Sequence, residues 1–282
     1  MVADAFQGVA PVVSFFAIEP GGAWQVEGLA SAPPDRGLIE ASLALLWTGR
    51  DDPPPALAIE RLPERDWLAQ NQASFPPLRA GRYFIHGSHY RGRVPAGAIA
   101  LVIDAATAFG SGEHATTQGC LLALDALARR GPRHAVLDMG TGTGILAMAA
   151  AKTWRRRVRA RDIDAEAVRV AAGNAAVNGV GALIEVGRGA GYQGLRPRGG
   201  FDLVFANILA RPLMRMAPDL ARALAPGGIA VLSGLLARQE AAVLAAHRAC
   251  RLRLVRRIRR GGWHTLVLAR DTLRFPPLRE DE

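Results

Sequence analysis

The run Asp138-Met139-Gly140-Thr141-Gly142-Thr143-Gly144 follows an apolar stretch, HAVL, and precedes the helix-compatible ILAMAAAKTW. Glycines let a backbone turn through positive φ and approach a ligand with no Cβ in the way. The spacing is GxGxG, whereas a dinucleotide fingerprint requires GxGxxG, and the place of its third glycine is held by Ile145. The pattern therefore favours S-adenosylmethionine, which has no pyrophosphate to seat on a helix N-terminus, over a dinucleotide. Taken alone, such a loop also fits a tight turn without a ligand. Asp162 ends the next strand-like stretch, RVRARDID, where an acid accepts hydrogen bonds from ribose hydroxyls. A helix cap is the other role open to it. Its neighbour Asp164 is better placed to cap AEAVRVAAGNAAVN, and beside the glycine loop the ribose role is the preferred one for Asp162.

Ala206-Asn207-Ile208-Leu209 closes a further apolar strand, FDLVFANIL. An asparagine there fits a strand-end turn, and it also fits amine chemistry. A lysine-type amine has a reference pKa near 10.4, so only roughly one molecule in 2,500 is neutral and nucleophilic at pH 7. An amide oxygen at a strand tip, with a nearby backbone carbonyl, can orient the hydrogens of the neutral amine and aim its lone pair at a methyl donor. Positioning and desolvation then supply the acceleration without an obligatory general base. The loop AFGSGEHATT, residues 108–117, combines two glycines with Phe109, Thr116 and Thr117 and suits a lid over a small molecule. Its Glu113 and His114 read as an acid/base pair or, preferably, as structural loop residues.

These residues need a parallel sheet to bring them together. From about Tyr83 the sequence alternates strand and helix patterns: a hairpin-like stretch RYFIHGSHYRGRVPAGAIALVID, helix QGCLLALDALARR, then the strands and helices named above and strand ALIEVG. Helix MRMAPDLARALA ends at Pro226, Gly227 and Gly228, strand IAVLSGLL follows, and ARQEAAVLAAHRA gives the last long helix. Strands RLRLVRRIRR and WHTLVLARD close the chain around the turn-like pair Gly261-Gly262. Such alternation demands a sheet covered on both faces, with ligands at the carboxyl ends of its strands. The closing antiparallel hairpin distinguishes a seven-stranded Rossmann-like class I methyltransferase sheet from a plain dinucleotide-binding one. Residues 1–61 read as a small α+β module: strand-like VVSFFAIEP and AWQVEGLAS, helix GLIEASLALLWTG, and ALAIERLP after the breaker DDPPP. Residues 62–80 read as a short helix running into a linker, and residues 81–282 as the catalytic domain.

Half of the 282 residues are hydrophobic and 21% are charged, which is globular rather than disordered composition. The N-terminal apolar run carries Asp4 and no basic flank, and no apolar run approaches the roughly 18 residues needed to cross a bilayer. The only cysteines, Cys120 and Cys250, form neither a disulfide framework nor a metal motif. A cytoplasmic monomer with no metal and no membrane contact is expected. The net charge of +10 comes almost wholly from arginine, since Lys152 is the single lysine. The densest cluster is Arg251, Arg253, Arg256, Arg257, Arg259 and Arg260. It reads first as a solvated strand face and second as an incidental contact to ribosomal RNA.

In order along the chain, AFGSGEHATT, VLDMGTGTGILAMAA, DIDAEAV with NAAVNGV, FDLVFANILARPL, LAPGG and LSGLLARQ resemble the PrmA-type methyltransferases, which modify large-subunit ribosomal protein eleven. The resemblance spans about residues 62–262. It implies S-adenosyl-L-methionine as cofactor, with Thr117, Gly140, Asp162 and Asn207 among the binding positions. Gly142 and Phe109 join them from the loop readings above, and Asn207 is the catalytic candidate. It further implies methylation of lysine side chains and the N-terminal α-amine of that ribosomal protein, and an N-terminal substrate-recognition module that is ferredoxin-like or reduced. The sequence departs from the commonest family pattern at Thr141, where many members have cysteine, and at Ala115, where they have proline. It also lacks an acid in GRGAGYQG after strand ALIEVG, which leaves backbone groups to meet the adenine. Two other readings use the same sheet: methylation of an RNA base or small molecule, and a non-catalytic cofactor-binding module.

Overall fold

The computed structural model describes residues 5–271 apart from 7–8, 11, 18–23, 51, 62–75, 104–114, 193, 196 and 198. The chain divides into two compact units, Met1–Arg65 and Asp66–Glu282. In the first, strands β1 (Val12–Ala17) and β2 (Trp24–Leu29) pair antiparallel, and helix α1 spans Arg36–Leu46. Asp35 caps α1 by accepting hydrogen bonds from the amides of Gly37 and Leu38 at 2.9 and 3.2 Å. Ile39 and Leu43, one helical turn apart, bury against Ala5. Residues 53–61, which include most of ALAIERLP, belong to no helix or strand.

The second unit opens with a three-stranded sheet of β3 (Leu78–Ala80), β4 (Tyr83–His86) and β5 (Ile99–Val102). The hairpin expected over residues 82–104 is not what forms. β4 pairs antiparallel with β3 through the turn at Gly81-Arg82, and β5 lies parallel to β4. Residues 87–98 are a crossover, too long and too rich in local turns for a two-residue hairpin loop. Lys152 ties β5 down: its Nζ donates to the Ala100 carbonyl at 2.7 Å and to Asn178 Oδ1 at 2.8 Å. Asn178 in turn holds both the amide and the carbonyl of Val102.

The main sheet has seven strands in the order β11-β12-β10-β9-β6-β7-β8. These are β6 (Val136–Met139), β7 (Val158–Asp162), β8 (Ile184–Arg188), β9 (Phe201–Asn207), β10 (Leu224–Leu236), β11 (Leu252–Arg260) and β12 (Trp263–Arg270). Strands β6 to β10 run parallel, and β12 enters antiparallel between β10 and β11. Gly261 and Gly262, with φ of 49° and 81°, supply the paired positive torsions that a two-residue hairpin turn needs. The central strands are apolar on both faces because both are covered. Leu203, Phe205, Ile229 and Val231 pack toward α2 (Ala115–Ala128), α3 (Ile145–Trp154) and α4 (Ala165–Val177). Val204, Ala206, Ala230 and Leu232 pack toward α5 (Ala210–Arg215), α6 (Ala217–Ala223) and α7 (Glu240–Ala249).

The sequence pattern places one helix over MRMAPDLARALA, whereas two short helices form and the first begins earlier, at Ala210. Pro218 has no amide proton to offer the carbonyl four residues back, so the ladder breaks at Met216 and restarts. Helix α6 stops at Ala223, and β10 takes in Pro226-Gly227-Gly228 through a register shift between Leu224 and Ile229.

Candidate functional site

The site forms at the carboxyl ends of β6, β7, β9 and β10. After β6, Gly140, Gly142 and Gly144 hold φ of 70°, 54° and 81°, torsions that a side chain would strain. This run winds the chain into α3 and leaves a backbone cradle bare of Cβ atoms at its three glycines. Beneath it Asp138 is 1% exposed. Its Oδ2 accepts from Thr141 Oγ1 at 2.6 Å and from the Ala147 amide at 3.1 Å, so one carboxylate fixes the loop and the first turn of α3 together. Its Oδ1 has no partner among the described residues, and burial pushes the carboxyl up to about 6 despite the two donors.

Asp162 closes the loop from the side. Its Oδ2 accepts from the Gly142 amide at 2.9 Å and its Oδ1 from the Asp164 amide at 3.1 Å. Each oxygen keeps a further lone-pair direction, so the carboxylate is aimed by backbone and still able to accept hydroxyl hydrogens. Asp164 is the N-cap of α4, accepting from the Glu166 amide at 2.9 Å.

Asn207 stands on the opposite wall. Its Nδ2 donates to Thr117 Oγ1 at 3.3 Å, joining residues 90 positions apart, and its Oδ1 is buried with no partner among the described residues. A buried amide oxygen without a donor is rare, because an unmet acceptor costs about 1–3 kcal/mol. Ile208 is wedged beside it. A Cβ on Gly140 would lie 2.3 Å from Ile208 Cγ2, and one on Gly234, at φ +83°, would lie 2.2 Å from the Ile208 carbonyl oxygen. The Ile208 amide donates to the Ser233 carbonyl at 3.2 Å. Ser233 itself is fully buried, with Oγ sharing a 2.8 Å hydrogen bond with Thr265 Oγ1 and donating to the Thr116 carbonyl at 3.2 Å. Cys120, on the same helix as Thr117, is fully buried, and desolvation pushes its thiol well above the ordinary range, so it is no nucleophile.

The structure thus links Thr117 with Asn207 and Gly142 with Asp162, and sets Gly140 against Ile208. Phe109, Glu113 and His114 lie outside the described residues. Asp138 heads the glycine run but has no role in the motif reading, and Ser233 and Gly234 are supporting residues that this reading did not single out. A glycine inside the apolar strand pattern IAVLSGLL was the available signal for a bulge, and the β10–β12 register does shift between Leu232 and Leu235. Among the described residues, no three His, Cys, Asp or Glu side chains stand close enough to hold a metal ion, and no helix is long and apolar enough to cross a membrane.

A parallel sheet of this strand order with an antiparallel β12, a glycine cradle after its first strand and an acid after its second, is a class I methyltransferase. Residues 38–271 match the family described as "Ribosomal protein L11 methyltransferase (PrmA)". The ribosomal protein L11 methyltransferase of Rhodopseudomonas palustris (strain BisB5) is 42% identical over 253 residues, covering 89% of this chain and 85% of that protein. The protein of the same name from Rhizobium meliloti (strain 1021) is 50% identical over 218 residues, 76% and 75% of the two chains. A crystal structure of the ribosomal protein L11 methylase from Lactobacillus delbrueckii subsp. bulgaricus superposes with a TM-score of 0.64 at 30% identity, covering 70% of this chain and all of that one. The chain belongs to the ribosomal protein L11 methyltransferase family.

Proposed function

We propose that this protein transfers methyl groups from S-adenosyl-L-methionine to lysine ε-amines and the N-terminal α-amine of ribosomal protein L11. The observation that carries the reading is the Oδ1 of Asn207, which is buried with no partner among the described residues and is held at the strand tip by the Nδ2 bond to Thr117. A neutral amine donates to such an oxygen, and doing so directs its lone pair away from the amide. The bound cofactor supplies an electrophilic methyl group on a sulfonium sulfur. Gly140 and Gly142 cradle the cofactor's backbone-facing side, Asp162 accepts from its ribose hydroxyls, and Thr117 and Phe109 complete its contacts. The rest of the acceleration comes from excluding water around a nitrogen already in line. The first unit serves substrate recognition, with residues 62–80 as its tether, and the enzyme works in the cytoplasm as a monomer.

The test is incubation with methyl-labelled cofactor and the separated protein and RNA of the large ribosomal subunit. Label in ribosomal protein L11, mapped by mass spectrometry to lysine and N-terminal nitrogens, is the expected result. Label confined to RNA would overturn the reading. Asn207→Leu, which keeps the volume but removes the oxygen, is expected to lower kcat by roughly a hundredfold or more, the scale of a lost positioning contact.

A further inference from the structure

Away from the methyl-transfer site, helix α7 and the edge strand β11 enclose an arginine-lined trough. It consists of two cavities of about 480 and 380 Å3 that share Arg248 as a common wall. Arg257 and Arg259 pair with Leu266 and His264 of β12, which puts their side chains on the sheet face that α7 covers. Arg248 and Arg259 are exposed. The carboxylates in the trough are already matched with cations. Glu240, whose side chain is 11% exposed, bonds Arg257 Nε at 2.6 Å and also His264 Nδ1, and Asp271 lies 3.4 Å from Arg253. Among the described residues Arg248, Arg251 and Arg259 have no carboxylate partner, so the trough keeps a net positive charge that its own side chains do not neutralise.

We propose that this trough binds the phosphodiester backbone of RNA. Two arginines on one face of a strand stand about 6.7 Å apart, a separation comparable with that of neighbouring phosphates along a chain. A guanidinium fork meets a phosphate through two parallel hydrogen bonds. Among the described residues no aromatic ring lines either cavity to stack bases, and the contact we propose is with the backbone and not the sequence. The inference holds whichever amine the enzyme modifies.

The probe is a fluorescein-labelled, mixed-sequence single-stranded RNA, followed by fluorescence anisotropy across a salt titration of the full-length protein. Contacts from the unmatched Arg248, Arg251 and Arg259 predict a slope of log affinity against log salt of about −2. The double variant Arg248→Ala/Arg259→Ala should retain the wild-type melting temperature and methylate free ribosomal protein L11 as before, while the slope falls to about −0.7. An unchanged slope in the folded double variant would overturn the proposal. So would polyglutamate binding the wild type as tightly as RNA does, which would assign the trough to an acidic protein surface.

Discussion

Replacing Gly234 by alanine tests whether the position of the Asn207–Ile208 peptide sets the reaction rate. The residue lies at φ +83°, where an L side chain costs about 1–2 kcal/mol. The larger effect is contact with backbone. The new methyl would stand 2.2 Å from the Ile208 carbonyl oxygen, 2.7 Å from its carbon and 3.0 Å from its nitrogen, where ordinary contact begins at 3.4 Å. The oxygen must retreat by about 1.2 Å, and no flexible side chain is available to absorb the shift. Asn207 moves with it, because Ile208 also donates its amide to Ser233 and rests against Gly140. A misplacement of about 1 Å in a catalytic constellation costs roughly a hundredfold in rate. Gly234→Ala is therefore expected to lower kcat by about that factor and stability by a few kcal/mol, with a smaller change in cofactor affinity, since the Gly142–Asp162 contact lies on the other wall. Initial rates with labelled cofactor, urea melts and calorimetric cofactor titration separate the three quantities. A folded variant with wild-type kcat would refute the reasoning.

Asp162→Ala removes the acceptor of both the Gly142 and Asp164 amides, and calorimetry should show cofactor affinity reduced by about tenfold or more, at a stability cost of about 1–3 kcal/mol. Unaltered affinity would remove Asp162 from the cofactor site. Asp138 has its folded pKa raised, so the folded state binds the extra proton between the ordinary carboxyl value of 3.8 and about 6, and its contribution to stability falls as pH rises through that window. Relative to Asp138→Asn, the wild type should lose up to about 3 kcal/mol between the two ends of the window, visible in urea melts on either side of it; parallel curves would contradict the assignment. His247 has the opposite sign. It is fully buried, its Nδ1 meets the Val243 carbonyl at 2.7 Å, its Nε2 has no partner among the described residues, and burial lowers its pKa. The unfolded chain takes up the proton first, so stability is lost as pH falls below about 6.5, and His247→Leu should flatten the acid side of the stability profile.

The parts of the site that a short stretch of chain determines were legible beforehand. A strand, three glycines and a helix follow one another within residues 136–154, and Asp162 and Asp164 sit where the next strand–helix junction requires them. The seven strands of the main sheet and the Gly261-Gly262 turn follow equally from local period and turn chemistry. The contacts that aim Asn207 are different in kind. Thr117, Ser233 and Gly234 reach it from helix α2 and strand β10, and nothing in the spacing of those residues indicates that they meet. The parallel pairing of β4 with β5 was hidden for a related reason, since two apolar stretches separated by a dozen residues look the same whether the chain turns back or crosses over. The division of helix MRMAPDLARALA was legible in principle at Pro218.

Lys152 is the only lysine in the chain, and its Nζ is occupied by the Ala100 carbonyl and Asn178 Oδ1 on the flank of the small sheet. Every other long cationic side chain is an arginine, whose guanidinium is a far poorer nucleophile toward an alkylating sulfonium. A catalyst whose proposed targets include lysine nitrogens thereby offers only one lysine of its own to neighbouring copies. Self-modification at lysine, which would consume donor and produce a heterogeneous population, has a single candidate nitrogen, and that one is already engaged in two hydrogen bonds.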